Sequence, residues 1–162
     1  MDMTKVANVI LYMLHKQVKH LNDKKVSILL FLMDYNHQKF CGQKIFGDEY
    51  VKVSRNPEPV ILSEIFDIIA NQEDLDESDE RLFLIQELLD YLDIEIETKE
   101  NYIELDFLQM EEEFDESLFS KDEMKTIHKI IQDFADTTPR NIANACFKLE
   151  EVRNTTKGDV IL

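Results

Sequence analysis

The sequence has no tryptophan, and only three glycines, three prolines and two cysteines among its 162 residues. With 44% hydrophobic residues beside so few chain-breakers, it is neither a disordered chain nor a loop-rich disulfide scaffold. Cys41 and Cys146 read as reduced core residues, because a redox role needs an exposed thiolate of low pKa. No apolar run approaches the ~18 residues of a membrane-spanning helix. The opening MDMTKVANVILYMLHK has an acid before its apolar stretch and no small-residue cleavage site, so a cytoplasmic protein is expected. Basic residues are scarce as well, with 18 Lys and Arg against 34 Asp and Glu, a formal charge of −16. A nucleic-acid binder displaces counterions with clustered Lys and Arg, and an anionic membrane needs the same; direct binding to either is disfavoured.

The acidity is confined to one segment. Residues 1–70 carry 9 basic and 8 acidic side chains, residues 71–123 carry 3 and 21, and residues 124–162 carry 6 and 5. The net charges are therefore +1, −18 and +1. A surface of this kind steers a basic protein partner.

Apolar residues recur at helical spacing over most of the chain. A first helix is expected from an N-cap at Thr4 to Lys19. A second follows Asn22-Asp23, and its run Val26 to Met33 is apolar almost all round, which marks it as the central buried helix; Phe40 and Cys41 extend its pattern to a cap at Gly42. Val60, Ile61, Ile65, Ile68 and Ile69 mark a third helix. Asn71 to Ser78 is a polar loop, and a fourth helix starts near Ser78 with Leu82, Phe83, Ile85, Leu88, Leu89 and Leu92 on its buried side. The period then changes. Ile94 to Glu97 and Tyr102 to Leu105 alternate strictly around a turn at Thr98 to Asn101, which predicts a β-hairpin with Glu95, Glu97 and Glu104 on its outer face. Gln109 to Leu118 is read as a short helix or an acidic loop. Ser120 to Glu123 forms a capping box, and Thr138 with Pro139 opens the last helix.

Between the second and third helices, Phe40 to Ile69 holds two of the three glycines and two of the three prolines. Pro57 and Pro59 bar a helix until Val60, so this stretch is a helix end, a short extended crossing and a new helix. Ile45, Tyr50, Val51 and Val53 are expected to face the core, and Lys44, Asp48, Glu49 and Lys52 to face water. The order of an apolar helix, a glycine, Ile45-Phe46, Glu49-Tyr50 and Pro59-Val60 resembles the Panacea domain, the SocA-like antitoxin domain. So does the C-terminal stretch from Phe119-Ser120 through two capped helices to Gly158-Asp159-Val160-Ile161. Where the family commonly has a Trp and a Tyr-Gly-Pro-Val in the crossing, this chain has Val53 and Asn56 to Val60. Ala145-Cys146 stands where members carry Ser-His. The resemblance covers about residues 4–70 and 119–162. It implies a non-enzymatic antitoxin that binds a toxin, in some members as an adaptor delivering it to a protease.

Candidate chemistry is thin. His37 and Cys41 are four residues apart, but no second pair completes a metal site, and His15, His20 and His128 are isolated. There is no EF-hand loop, phosphate loop, nucleophile elbow or redox cysteine pair, so no catalytic, cofactor or metal residue is assigned. The expectation is a mainly α, α+β single domain spanning residues 1–162: a bundle of about six helices with a short extended crossing and a small β-hairpin, the acidic hairpin being an insertion at about 93–118. The expected partner is a basic toxin, and the contact residues are Glu95, Glu97, Glu104, Glu111, Glu112 and Glu113, chosen by charge. The alternative is an acidic mimic of nucleic acid, or a mobile-element regulator, that occupies the DNA site of a host protein.

Overall fold

The computed structural model describes residues 1–110 and 112–162. Among these, the helices are α1 (Met3–His15), α2 (Asp23–Cys41), α3 (Val60–Ala70), α4 (Glu80–Tyr91), α5 (Lys121–Phe134), α6 (Pro139–Phe147) and the short α7 (Glu150–Asn154), with one 3-10 turn at Glu116–Leu118. Two antiparallel pairs of strands complete the fold, β1 (Tyr50–Lys52) with β2 (Pro57–Pro59) and β3 (Leu92–Thr98) with β4 (Ile103–Gln109). It is the mainly helical α+β domain expected, with one helix more and with the crossing itself folded into a strand pair.

α2 is the axis. Every residue from Val26 to Met33 is buried, which a helix can sustain only when it is covered on all sides. α5, α6, α3, β2 and β4 all pack against it, while α1 packs on α4 and β4. Gly42 ends it in the left-handed conformation at φ 79°, as its position predicts. Phe40 is 75% exposed and Cys41 is exposed too, so the last turn of α2 leaves the core and Cys41 is no core residue.

Other boundaries move for identifiable reasons. α1 is capped by Asp2, whose carboxylate accepts the Lys5 N–H at 3.1 Å, and it ends at His15 because Gln17 turns left-handed at φ 58°. Thr4 lies inside the helix and gives its hydroxyl to Glu87 of α4. Asp79 caps α4 in place of Ser78, and Arg81 bridges it to Glu64 of α3, at 2.7 Å to each acid. α4 buries only Ile85 and Leu88, leaving Phe83 and Leu89 exposed; in α3, Leu62 and Phe66 are buried and Val60 and Ile61 are not. The capping box at Ser120 and the Thr138-Pro139 start are both as expected.

The crossing departs furthest from expectation, because Asp48 and Lys52 are buried. Pro59 precedes α3 and has no side chain able to cap it, so the first-turn donors need an acceptor from elsewhere. Asp48 supplies it, accepting the Ile61 and Leu62 N–H groups at 3.1 and 3.0 Å. Lys52 does the reverse for α7, its ammonium donating to the carbonyls of Val152, Arg153 and Thr155 at 2.8 to 3.2 Å. Lys25 likewise closes the end of α5 through the carbonyls of Ala135 and Thr137 and ties down the α1–α2 connection through that of Lys19, and burial lowers its pKa to about 8. Residues 158–162 run beside β1, with Tyr50 N–H donating to Leu162 O at 3.0 Å and Ile161 N–H to Tyr50 O at 2.7 Å.

Asp34 joins α2 to the crossing. Its Oδ1 accepts the N–H groups of Ile45 and Phe46 at 2.6 and 3.0 Å, and its Oδ2 accepts the Tyr50 hydroxyl at 2.6 Å. Asp34→Ala would leave two buried N–H groups and a phenol unpaired, at about 1–3 kcal/mol each. The expected loss in a urea titration is therefore at least about 3 kcal/mol, with Tyr50→Phe costing about 1–2 kcal/mol. Equal losses for the two variants would show that Asp34 does not organise the backbone of the crossing.

Candidate functional site: the acidic hairpin and its groove

The β3–β4 register pairs Ile94 with Phe107, Ile96 with Leu105, Glu95 with Asp106 and Glu97 with Glu104. Partners in a ladder lie on the same face, so one face is apolar and the other carries carboxylates. Leu105 and Phe107 are buried, which seats β4 against the body and leaves β3 outermost. The structure thus brings Glu95, Glu97 and Glu104 together, and adds Asp106 to them.

Carboxylate oxygens of Glu97, Glu104 and Asp106 lie within 4.8 Å of one another. Lys99 at the turn already serves this trio, 3.0 Å from Glu97 and 4.0 Å from Glu104, and Asn22 donates to Glu104 at 2.8 Å. The most crowded member is Asp106. Partial burial, then the charges of Glu104 and Glu97, raise its pKa to about 6, while Lys99 holds Glu97 below its usual range.

Glu112 and Glu113 are not part of this face. They line a separate cavity of about 660 Å³ with Tyr12, His15, Lys16 and Phe114. Their loop is tied to α1 by the buried Asn8, whose Oδ1 accepts the Asp115 N–H at 3.1 Å. Glu111 lies outside the described residues.

Beside the hairpin runs a groove of about 920 Å³, which Glu104 shares with the start of α2, β2, α3 and the start of α6. Asp23, Glu58 and Asp67 line it, with Lys24, Arg55 and Arg140. Burial raises Asp23, even though Leu105 N–H donates to it at 3.1 Å. Crowding by the groove, then the charges of Asp67 and Asp23, raise Glu58; Asp67 is raised by its surroundings and by Glu73. The Asn56 side-chain carbonyl is buried here without a donor. Nothing in the sequence points to this groove: Asn22 and Asp23 read as a helix cap, which they also are, and nothing local relates them to Glu58 or Asp67.

The other candidates separate. His37 is buried with Nδ1 3.1 Å from the Thr126 hydroxyl, while Cys41, four residues on, is exposed, so they do not form a pair. Burial pushes the Cys146 thiol up to about 12, which makes it unreactive. What the hairpin and groove display is a surface rich in carboxylate acceptors.

A family model described as Antitoxin SocA-like, Panacea domain, matches residues 29–151. No curated protein and no solved structure matches the chain significantly.

Asp106 gives a pH test of the face. Its folded value of about 6 lies above the ordinary ~3.9, so the folded state holds this proton more tightly and the group's contribution to stability falls as pH rises from ~4 to ~6. Asp106→Asn should raise Tm at pH ~7.5 by about 2–4 °C, the size of a 1 kcal/mol change in such a domain. That gain should fade as pH is lowered through 6 toward 4. A gain of the same size in acid and at neutrality would contradict the crowding of these carboxylates.

Proposed function

The chain belongs to the SocA-like antitoxin family that carries the Panacea domain, and from that premise we propose that it is a non-enzymatic binding module that neutralises a basic toxin. The family match carries this reading, and the charge distribution supports the choice of surface. The segment of charge −18, residues 71–123, contains the hairpin and the loop that follows it, while the rest of the chain is near neutral. Glu95, Glu97 and Glu104, with Asp106, form the contact face; Glu112 and Glu113, beside the end of α1, make a second patch of the same charge.

Such a face works by long-range attraction and by register. Exposed carboxylates attract a basic partner and speed its arrival, an effect that salt weakens. Neutralisation then follows from covering the toxin's working surface in the cytoplasm. Delivery to a protease is a second outcome of the same contact, recognised by a shortened lifetime of the bound toxin.

The test is co-purification of the tagged chain from its native cells at low and high salt, followed by expression of the recovered partner alone and with the chain. The expected partner is small and basic, is released by salt, and is toxic only without this protein. Glu95→Lys, Glu97→Lys and Glu104→Lys combined should weaken the complex at least tenfold, about 1.4 kcal/mol, and flatten its salt dependence. A partner displaced competitively by duplex DNA would move the assignment to a nucleic-acid mimic, and unchanged affinity of the triple variant would remove the hairpin from the interface.

A further inference from the structure

The two edges of the hairpin are not equivalent. Lys99 N–H donates to Tyr102 O at 2.8 Å, which makes that pair hydrogen-bonded and, by the alternation of antiparallel ladders, makes 97/104, 95/106 and 93/108 hydrogen-bonded too. The peptide groups of Ile103, Leu105 and Phe107 then point away from β3, and those of Ile94, Ile96 and Thr98 point away from β4. On the β4 side this edge lies against the start of α2: Asp23 accepts the Leu105 N–H, and Asn22 forms a β-bridge with Asp106. On the β3 side, Asp93 accepts the Ile94 N–H at 3.0 Å, and among the described residues Ile96 and Thr98 have no partner for their outward groups.

We infer that the free edge of β3 receives an extended, basic segment of the partner as a third antiparallel or parallel strand. This deepens the proposed function and rests on its assignment of the hairpin as the contact surface. Open strand edges are hazards that proteins blunt with charge. Here the charge is of one sign: Asp93, Glu95 and Glu97 on β3 share a face with Glu104 and Asp106, and Lys99 is the one nearby cation bonded to it. A second copy of β3 would set carboxylate against carboxylate, which disfavours self-pairing. A strand with Lys or Arg at alternate positions reverses that repulsion, because side chains directly opposite one another lie ~5 Å apart. The intervening positions of the added strand would fall on the other face, beside the half-buried Ile94 and Ile96, and favour apolar β-branched residues. Main-chain bonds then supply affinity and the alternation supplies selectivity.

The probe is a capped seven-residue peptide alternating lysine and valine, with a glutamate–valine peptide as control, added to the isotopically labelled full chain. Amide exchange followed by NMR should slow at least ~tenfold at Ile96 and Thr98, and calorimetry should show binding that weakens between ~50 and ~300 mM salt. Thr98→Pro removes an outward N–H from an exposed residue without breaking the ladder, and should weaken the peptide at least ~tenfold with Tm little changed. Salt-sensitive binding without amide protection, and indifferent to Thr98→Pro, would overturn strand addition while leaving the acidic contact surface in place. Failure of the lysine–valine peptide to bind, or equal binding of the glutamate–valine peptide, would overturn the charge complementarity and the strand addition together. Should Thr98→Pro disturb the hairpin, amide protection in the unaltered chain still decides the matter.

Discussion

The fold depends on a buried carboxylate in the middle of its central helix. Asp34 is fully buried, and burial raises its pKa, so its charge is costly unless the surroundings supply donors. They do: two backbone N–H groups and the Tyr50 hydroxyl converge on it, and these belong to the residues that leave α2 and cross to α3. This contact fixes the start of the crossing, which has no regular structure from Gly42 to Glu49. The same device recurs with Asp48, Lys52 and Lys25, each of which spends a buried charge on the unpaired backbone of a helix end. Charge in the interior of this domain therefore organises loops. The charge that remains for recognition lies outside, on the hairpin.

This division explains what was legible in the sequence. The central helix, the capping box at Ser120, the Thr138-Pro139 start and the hairpin were readable because each is written in adjacent residues, by period, cap or alternation. The burial of Asp48 and Lys52 was not, since polarity alone assigns both to water. Their partners, Ile61-Leu62 and Val152 to Thr155, are remote in sequence for Lys52 and hidden behind two prolines for Asp48. Phe83 and Leu89 failed for the opposite reason. They fit an apolar stripe, but α4 lies mainly against α1, and a narrow contact buries a narrow stripe.

The contact surface was half legible. Alternation places Glu95, Glu97 and Glu104 on one face, as the structure does, and the register adds Asp106. Charge counting also drew in Glu112 and Glu113, which the fold turns toward the end of α1. Net charge locates a segment; it does not say which of its residues look the same way. The groove lined by Asp23, Glu58 and Asp67 could not have been found by either route, because its walls come from α2, β2 and α3.

The hairpin and the groove are linked through α2. Asn22 and Asp23 begin the central helix, and the same two residues close the inner edge of β4, one by donating to Glu104 and the other by accepting from Leu105. The hairpin is therefore not a loose appendage: its inner strand is anchored to the most buried element of the domain, with Leu105 and Phe107 driven into the core. Its outer strand is buried only at its first residue, Leu92. An arrangement in which one strand is fixed and the next is open on its far side holds the acidic face at a set angle while leaving peptide groups free. Rigidity of this kind lowers the entropic cost of ordering a partner segment against it. The acidic composition and the position of the hairpin on α2 are thus two parts of the proposed contact, attraction from the first and a fixed template from the second.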